Sequence, residues 1–175
     1  MITVEEAEVI VRERFGFDLV HTGSTHLPVL ISALSRTNGA VLEMGTGLFS
    51  SPVLHELCME QERLLVSYED NKKYCELAAK RQADLHRVNF VTSYDLADVK
   101  LAWGVVLIDQ HPPMRRATDI IRVANLAEYI VCHDAEPEMD YAYRYSTVAP
   151  LFKYSWTYDK FKTHTTVFSN WSEWK

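Results

Sequence analysis

Ala40-Val41-Leu42-Glu43-Met44-Gly45-Thr46-Gly47-Leu48-Phe49-Ser50-Ser51-Pro52 is the stretch on which the fold turns. Its first five residues follow the turn signal Asn38-Gly39 and read as a short buried strand ending at Gly45. Ser51-Pro52 then opens a helix with proline in its first turn, carrying Val53, Leu54, Leu57 and Cys58 inward. A strand that runs through two glycines into a helix is the front half of a βαβ unit. The glycines let backbone approach a ligand, and the helix start offers free N–H groups to an anion.

The same alternation continues on both sides. Downstream, Leu64 to Glu69 predicts a second strand, followed by a helix capped by Asp70 or Asn71 and running to about Gln82. Val88 to Thr92 predicts a third strand, with only a short link after it. Trp103-Gly104-Val105-Val106-Leu107-Ile108 is an unbroken apolar run ending in Asp109, as a central parallel strand covered on both faces requires. A helix from about Met114 to Leu126 leads to a fifth strand, Tyr129 to Cys132, which ends at His133-Asp134. Upstream, Thr3 caps a helix that Gly16 stops, and a second helix covers Thr25 to Ser35. Lys153 to Thr157 and Thr165 to Ser169 are joined too closely for a crossover helix and predict an antiparallel pair.

Right-handed crossovers then give a three-layer α/β/α sandwich around a mostly parallel seven-stranded sheet with an antiparallel C-terminal hairpin. Neither an internal repeat nor a Pro/Gly/Ser-rich linker divides the 175 residues, so residues 1–175 are expected to form a single domain. Within it, residues 1–38 supply N-terminal helices, 39–136 the ligand-binding βα units, and 137–175 an aromatic segment with the edge hairpin.

A chain of this length buries roughly 70% of its unfolded surface without disulfides or a structural metal. Its 47% hydrophobic and 24% charged content excludes disordered, collagen-like and coiled-coil classes. Net charge −6 leaves no diffuse positive field to gather phosphate backbones or anionic lipid. Cys58, Cys75 and Cys132 lack metal or redox spacing and read as reduced core residues of a cytoplasmic protein. Neither a membrane span nor a secretory leader is expected.

Open α/β sheets bind ligands beyond the carboxyl ends of their strands, which directs attention to the residues just after each one. Glu69, after the second strand, stands where a carboxylate accepts both hydroxyls of a ribose. With Gly45 and Gly47 it points to an adenosine-containing ligand, against the alternative that the glycines only make a tight turn. The Gly-Lys-Ser/Thr of a Walker loop is missing, and Ser50 stands where a dehydrogenase fingerprint has its third glycine.

Glu43-Met44-Gly45-Thr46-Gly47 with the following Ser50-Ser51 resembles the glycine motif of class I S-adenosylmethionine-dependent methyltransferases, a Rossmann-like family, over about Thr22 to Asn170. The resemblance implies S-adenosylmethionine as cofactor. Its methionine part would lie against Glu43, Gly45, Gly47 and Ser50, the ribose on Glu69, and the adenine near Asp95. Asp109 would face the methyl group. Phe49 departs from the family, standing where many relatives have a third glycine.

Methyl transfer depends mostly on holding a nucleophile in line, and a base is needed only for a protonated acceptor. Asp109 and His111 are the candidate catalytic residues for a hydroxyl acceptor. Asp109 and Asp134 end strands expected to be neighbours, so their carboxylates converge. One is then protonated, or Arg115 or Arg116 intervenes, or a divalent metal such as magnesium bridges them. The last resembles the metal-dependent O-methyltransferases, although Ala135 replaces their usual Asn. Arg115 and Arg116 are otherwise candidates for an acidic substrate or for a solvated helix face. The segment of His21 to His26 and the aromatic run from Tyr141 to Tyr158 are the candidate substrate covers.

The function expected is methyl transfer to a small-molecule or modest polar acceptor, oxygen slightly favoured. One rival is a nucleic-acid methylase, prompted by His111-Pro112-Pro113-Met114 but lacking an aromatic at Met114. The other is a catalytically silent nucleoside-binding or protein-interaction module.

Overall fold

The computed structural model describes residues 1–20 and 22–174; the part of the predicted substrate cover at His21 lies outside them. Seven strands form one sheet: β1 (Ala40–Met44), β2 (Leu65–Glu69), β3 (His86–Phe90), β4 (Trp103–Ile108), β5 (Ala127–His133), β6 (Tyr154–Tyr158) and β7 (Thr165–Ser169). Their order is β3-β2-β1-β4-β5-β7-β6. The first five are parallel, and β7 enters antiparallel between β5 and β6. The predicted sandwich with its C-terminal hairpin is therefore the observed fold. The point where strand order reverses lies between β1 and β4.

Period-two alternation assigns each strand residue to a face. Val41, Leu65, Val105, Leu107 and Val131 join the apolar cluster of α1 (Val4–Glu13), α2 (Leu27–Arg36) and α3 (Ser50–Glu60). Leu42, Met44, Val66, Val106, Ile108, Ile130 and Cys132 face α5 (Arg115–Val123), together with α6 (Asp140–Tyr143) and α7 (Tyr145–Val148). Between β2 and β3 stands α4 (Lys72–Ala79), capped by the Asn71 side chain as predicted. Thr3 and Glu6 form a reciprocal capping box at the start of α1. The three cysteines are buried and free, in keeping with their reading as core residues.

Two local expectations, the start of β3 and the start of α2, are corrected, and the short link after β3 is as expected. Strand β3 begins at His86 rather than Val88, because Leu65 pairs with His86 and the strand keeps the register of β2. An edge strand with little buried apolar surface shows too weak a pattern to reveal this. Between β3 and β4 there is no α-helix among the described residues. A single 3₁₀ turn, Tyr94–Leu96, lies in the link, and Val91, Tyr94, Ala97 and Val99 cover that face of the sheet. α2 starts at Leu27 rather than Thr25, because the Thr25 hydroxyl donates to Thr22 O and is held outside the helix. No described helix is long and apolar enough to cross a membrane.

Candidate functional site

Gly45 ends β1 at φ +89°, a conformation open to glycine. Beyond it, the carboxyl ends of β1, β2 and β4 open into a cleft of about 450 Å³ lined by Gly45, Thr46, Glu69, Tyr74, Asp109 and His111, among others. A second recess of about 300 Å³ shares Thr46, Tyr74 and Asp109 with it and adds Gly23, His26, Gly47 and Phe49. Together they form a continuous depression at the switch point, where the α/β rule locates ligands.

The predicted residues do not all reach it. Glu43 falls on the α3 face of β1 and is completely buried. Its Oε1 accepts from Ser50 Oγ at 2.8 Å and Ser51 Oγ at 2.9 Å, and its Oε2 from Ser67 Oγ at 2.6 Å. Gly47 N–H donates to Ser51 Oγ. Glu43 and Ser50 thus brace the glycine loop from beneath, which corrects the expectation that Glu43 faces the ligand. Glu69 does reach the cleft: Oε2 accepts from Thr46 N–H at 2.6 Å and Thr46 Oγ1 at 3.0 Å, and Oε1 from Asn71 N–H at 2.8 Å. Burial pushes its carboxyl upward against those bonds. Asp95 stays outside. Its side chain is 71% exposed and pairs with Arg115 at 2.7 Å, away from the cleft lining. Phe49 stands at the N-cap position just before α3 and packs edge-on against Phe17.

The convergence of Asp109 and Asp134 is real, and Arg116 resolves it. That guanidinium is buried and donates through Nη2 to Asp109 at 2.9 Å and through Nη1 to Asp134 at 3.0 Å. Nε donates to Gln110 O at 2.8 Å, and Nη1 also reaches His133 O. Of the three sequence-based solutions, the intervening cation is the observed one, so the magnesium site expected between Asp109 and Asp134 is replaced by a guanidinium. Arg116 is neither a solvated residue nor a free substrate hook. Arg115 is equally engaged, donating to Asp119.

Asp109 is also corrected as a base. Burial alone would raise its pKa, but His133 and then Arg116 outweigh that and hold the carboxyl well below its usual range. It is a fixed anion. His111 stands exposed at the cleft wall after β4.

Sequence reasoning missed the pair His26 and His133. Period two puts His133 and Asp109 on the α2 face, where His26 precedes α2. His133 Nδ1 lies 3.3 Å from Asp109 Oδ1, its Nε2 lies 3.2 Å from Thr25 Oγ1, and the two imidazole centroids are 4.4 Å apart. His26 is 1% exposed, and neither ring nitrogen has a hydrogen-bond partner. Burial and the neighbouring His133 lower its pKa to about 3, so it is neutral. The only sequence signals were a polar residue ending an apolar strand and another just before an apolar helix.

A second buried chain runs under the glycine loop. When Glu43 is ionised, Ser67 Oγ gives its proton to it, so that His86 Nε2–H donates to Ser67, and His86 Nδ1 lies 3.1 Å from His55 Nδ1. Burial pushes Glu43 up to about 7 and lowers His86 to about 4. Between pH 4.5 and 7 the folded chain keeps a proton on Glu43 that the unfolded chain releases, so this group costs stability as pH rises. Below pH 6.5 the unfolded chain protonates His86 while the folded one does not until about 4, which costs stability as pH falls. The two slopes oppose each other. Glu43→Gln is expected to remove the first and expose the second, adding on the order of 2 kcal/mol of destabilisation between pH 7.5 and 4.5 relative to the parent. Urea melts at both pH values check this.

This strand order and site location define the class I methyltransferase fold. The structure resembles the N-terminal domain of human METTL16 in complex with SAH, at TM-score 0.59 and 12% identity, covering 97% of this chain and 83% of that one. It also resembles human methyltransferase-like protein 13 in complex with SAH, at TM-score 0.60 and 11% identity over 83% and 82% of the two chains. A bacterial CtHen1-CN methyltransferase domain aligns at TM-score 0.59 and 13% identity, with 85% and 100% coverage. At sequence level, no protein-family profile and no curated protein matches the chain.

Proposed function

We propose that this chain binds S-adenosylmethionine in the cleft at the ends of β1, β2 and β4 and transfers its methyl group to a small polar acceptor, oxygen favoured over nitrogen. The observation that carries the reading is Glu69 and the Gly45–Gly47 backbone meeting in one depression at the switch point of this fold. Two of the similar structures hold SAH at comparable coverage, which supports the choice of cofactor. The donor set fits. Glu69 is an acid at a nucleoside position, a Cβ on Gly47 would meet only Ser50 Oγ within 3.4 Å, and the combined space falls in the range of ligand sites.

When bound, S-adenosylmethionine supplies an electrophilic methyl group on a sulfonium. Glu69 accepts from ribose hydroxyls by exchanging its bonds to Thr46. Glu43, through Ser50 and Ser51, keeps the glycine loop in shape. Asp109, fixed as an anion by Arg116, favours a positive centre in the adjoining recess. His111 is the residue free to take a proton from a hydroxyl acceptor, a contribution on the order of 10²–10⁴-fold. Magnesium bridging Asp109 and Asp134 has no place in this reading, since the Arg116 guanidinium fills the position between the two acids.

Isothermal titration with SAH tests the reading. Saturable micromolar binding is expected, weakened about 10- to 100-fold by Glu69→Ala, the worth of a charged hydrogen-bonding group. Absence of binding to the folded parent would overturn it in favour of the silent module. A screen of labelled methyl transfer to phenols, alcohols, amines and an RNA oligonucleotide then separates acceptor classes, and transfer to RNA alone would overturn the small-molecule assignment.

A further inference from the structure

The recess beside the glycine loop is lined by His26, which precedes α2, and by Asp109 after β4, and His133 at the end of β5 stands against both. One ligand atom from each lies within 4.8 Å of the other two. Two observations bear on this group: an unpartnered imidazole, and a contact that requires a proton or a cation. His26 is buried with both nitrogens unpartnered, an arrangement that native interiors avoid, and it lines the recess together with Asp109.

The second observation is hydrogen-bond accounting at His133. Thr25 spends its one hydroxyl proton on Thr22 O at 3.1 Å, so Thr25 Oγ1 accepts from His133 Nε2–H. The remaining nitrogen, Nδ1, faces the Asp109 carboxylate at 3.3 Å. Two lone pairs cannot face each other at that distance without a positive charge between them. That charge is either a proton on Nδ1 or a metal ion. A tetrahedral ion with bonds of about 2.0 Å has ligand-to-ligand edges of about 3.3 Å, so the observed spacing already matches one edge. Thr25 orients the imidazole as metal-ligating histidines are oriented, through the nitrogen not used for ligation.

We propose that His26, Asp109 and His133 form a binding site for a late first-row divalent ion such as Zn²⁺ or Co²⁺, with the remaining coordination position open to the recess. Two imidazoles and one carboxylate suit such ions, whereas Mg²⁺ requires more oxygen ligands. Arg116 strengthens that preference, because its positive charge on Asp109 Oδ1 lowers the anionic character on which Mg²⁺ depends. The ion takes the place of the Nδ1 proton, which leaves to solvent, and gives His26 the partner it lacks. An oxygen acceptor entering the open position would be made more acidic by the ion. This consequence for the acceptor rests on the methyl-transfer reading; the metal site itself does not.

The test is titration of the EDTA-treated, desalted protein with Co²⁺, followed by its visible d–d absorption, and with Zn²⁺ as competitor. Saturation at one equivalent with micromolar affinity or better is expected, displaced by Zn²⁺ and undisturbed by millimolar Mg²⁺. His26→Phe preserves an aromatic in the buried position and is expected to bind Co²⁺ at least about tenfold more weakly. His164→Ala, near the hairpin, should bind like the parent. Circular dichroism and thermal melting verify that His26→Phe is folded, and Asp109→Asn, which keeps the shape of the side chain, serves as a second ligand variant. No saturable Co²⁺ or Zn²⁺ binding, or binding that both variants retain, would overturn the proposal. SAH binding is measured separately: its loss with Co²⁺ binding intact would sink the methyl-transfer reading alone, and the reverse would sink the metal site alone.

Discussion

Arg116→Ala is expected to remove about 3–5 kcal/mol of folding stability, the usual cost of breaking a buried ion pair by deleting one partner. The guanidinium lies against the Tyr143 ring at 4.6 Å and serves two carboxylates and two backbone carbonyls, with the Tyr145 hydroxyl at 3.3 Å from Nη1. Removing it leaves Asp109 and Asp134 as neighbouring anions and deprives Gln110 O and His133 O of a charged donor. Tyr143 donates to Asp134 and Tyr145 to His133 O, so part of the network survives. The side chains of Asp109 and Asp134 retain 23% and 27% exposure, which lets water take up some of the charge and keeps the cost within that range. Arg116→Lys should fall between parent and alanine, because one ammonium cannot reproduce the planar fork. Urea denaturation measures all three proteins. A loss below about 1 kcal/mol for the alanine variant would mean that the acids do not depend on this cation.

Much of the scaffold was legible because its signals are local. β1 and β4 were read to the residue: an apolar run bounded by Asn38-Gly39 and Gly45 in one case, and an unbroken run ending in Asp109 in the other. Burial on both faces makes such strands continuous in hydropathy. β3 slipped by two residues because it is an edge strand that begins with a histidine whose partner, Ser67, belongs to another strand. The cleft was legible at residues that directly follow strands, as at Gly45, Glu69 and Asp109, which line it. Glu43 stands at the motif position, but period two turns it toward α3 and three serines, and one-dimensional spacing does not say which way a carboxylate points. Arg116 reaches Asp109 from the opposite face of the sheet, so the sequence offered the choice among proton, cation and metal without deciding it. His26 and His133 meet only through the packing of α2 on β5.

The two glycines of the motif separate structure from ligand binding. Gly45→Ala is expected to cost about 4 kcal/mol, combining strain at φ +89° with overpacking, and to abolish measurable SAH binding. A Cβ there would lie 2.6 Å from both Gln110 N and Gln110 Cα, and 2.8 Å from Asp109 C. These are backbone atoms and cannot swing aside. They are also tied to β1, because Asp109 N–H donates to Met44 O at 3.0 Å while Gly45 N–H donates to Tyr68 O at 3.0 Å. The added carbon must therefore wedge the end of β4 away from β1. Asp109 and His111 would move with it, along with the backbone carbonyl of Gln110 that Arg116 holds. Gly47 lies outside the left-handed region, and a Cβ on it would meet only the Ser50 Oγ at 3.3 Å, with Phe49 N as far as 4.0 Å. Gly47→Ala should accordingly cost less than about 1 kcal/mol in stability and yet, on the methyl-transfer reading, weaken SAH, because Gly47 lines the recess proposed for the cofactor. Thermal melting and SAH titration of both variants decide between the roles. A Gly47→Ala protein that melts and binds like the parent would show that no ligand approaches that backbone, whereas a stable Gly45→Ala protein would mean that the β1–β4 junction is looser than these contacts require.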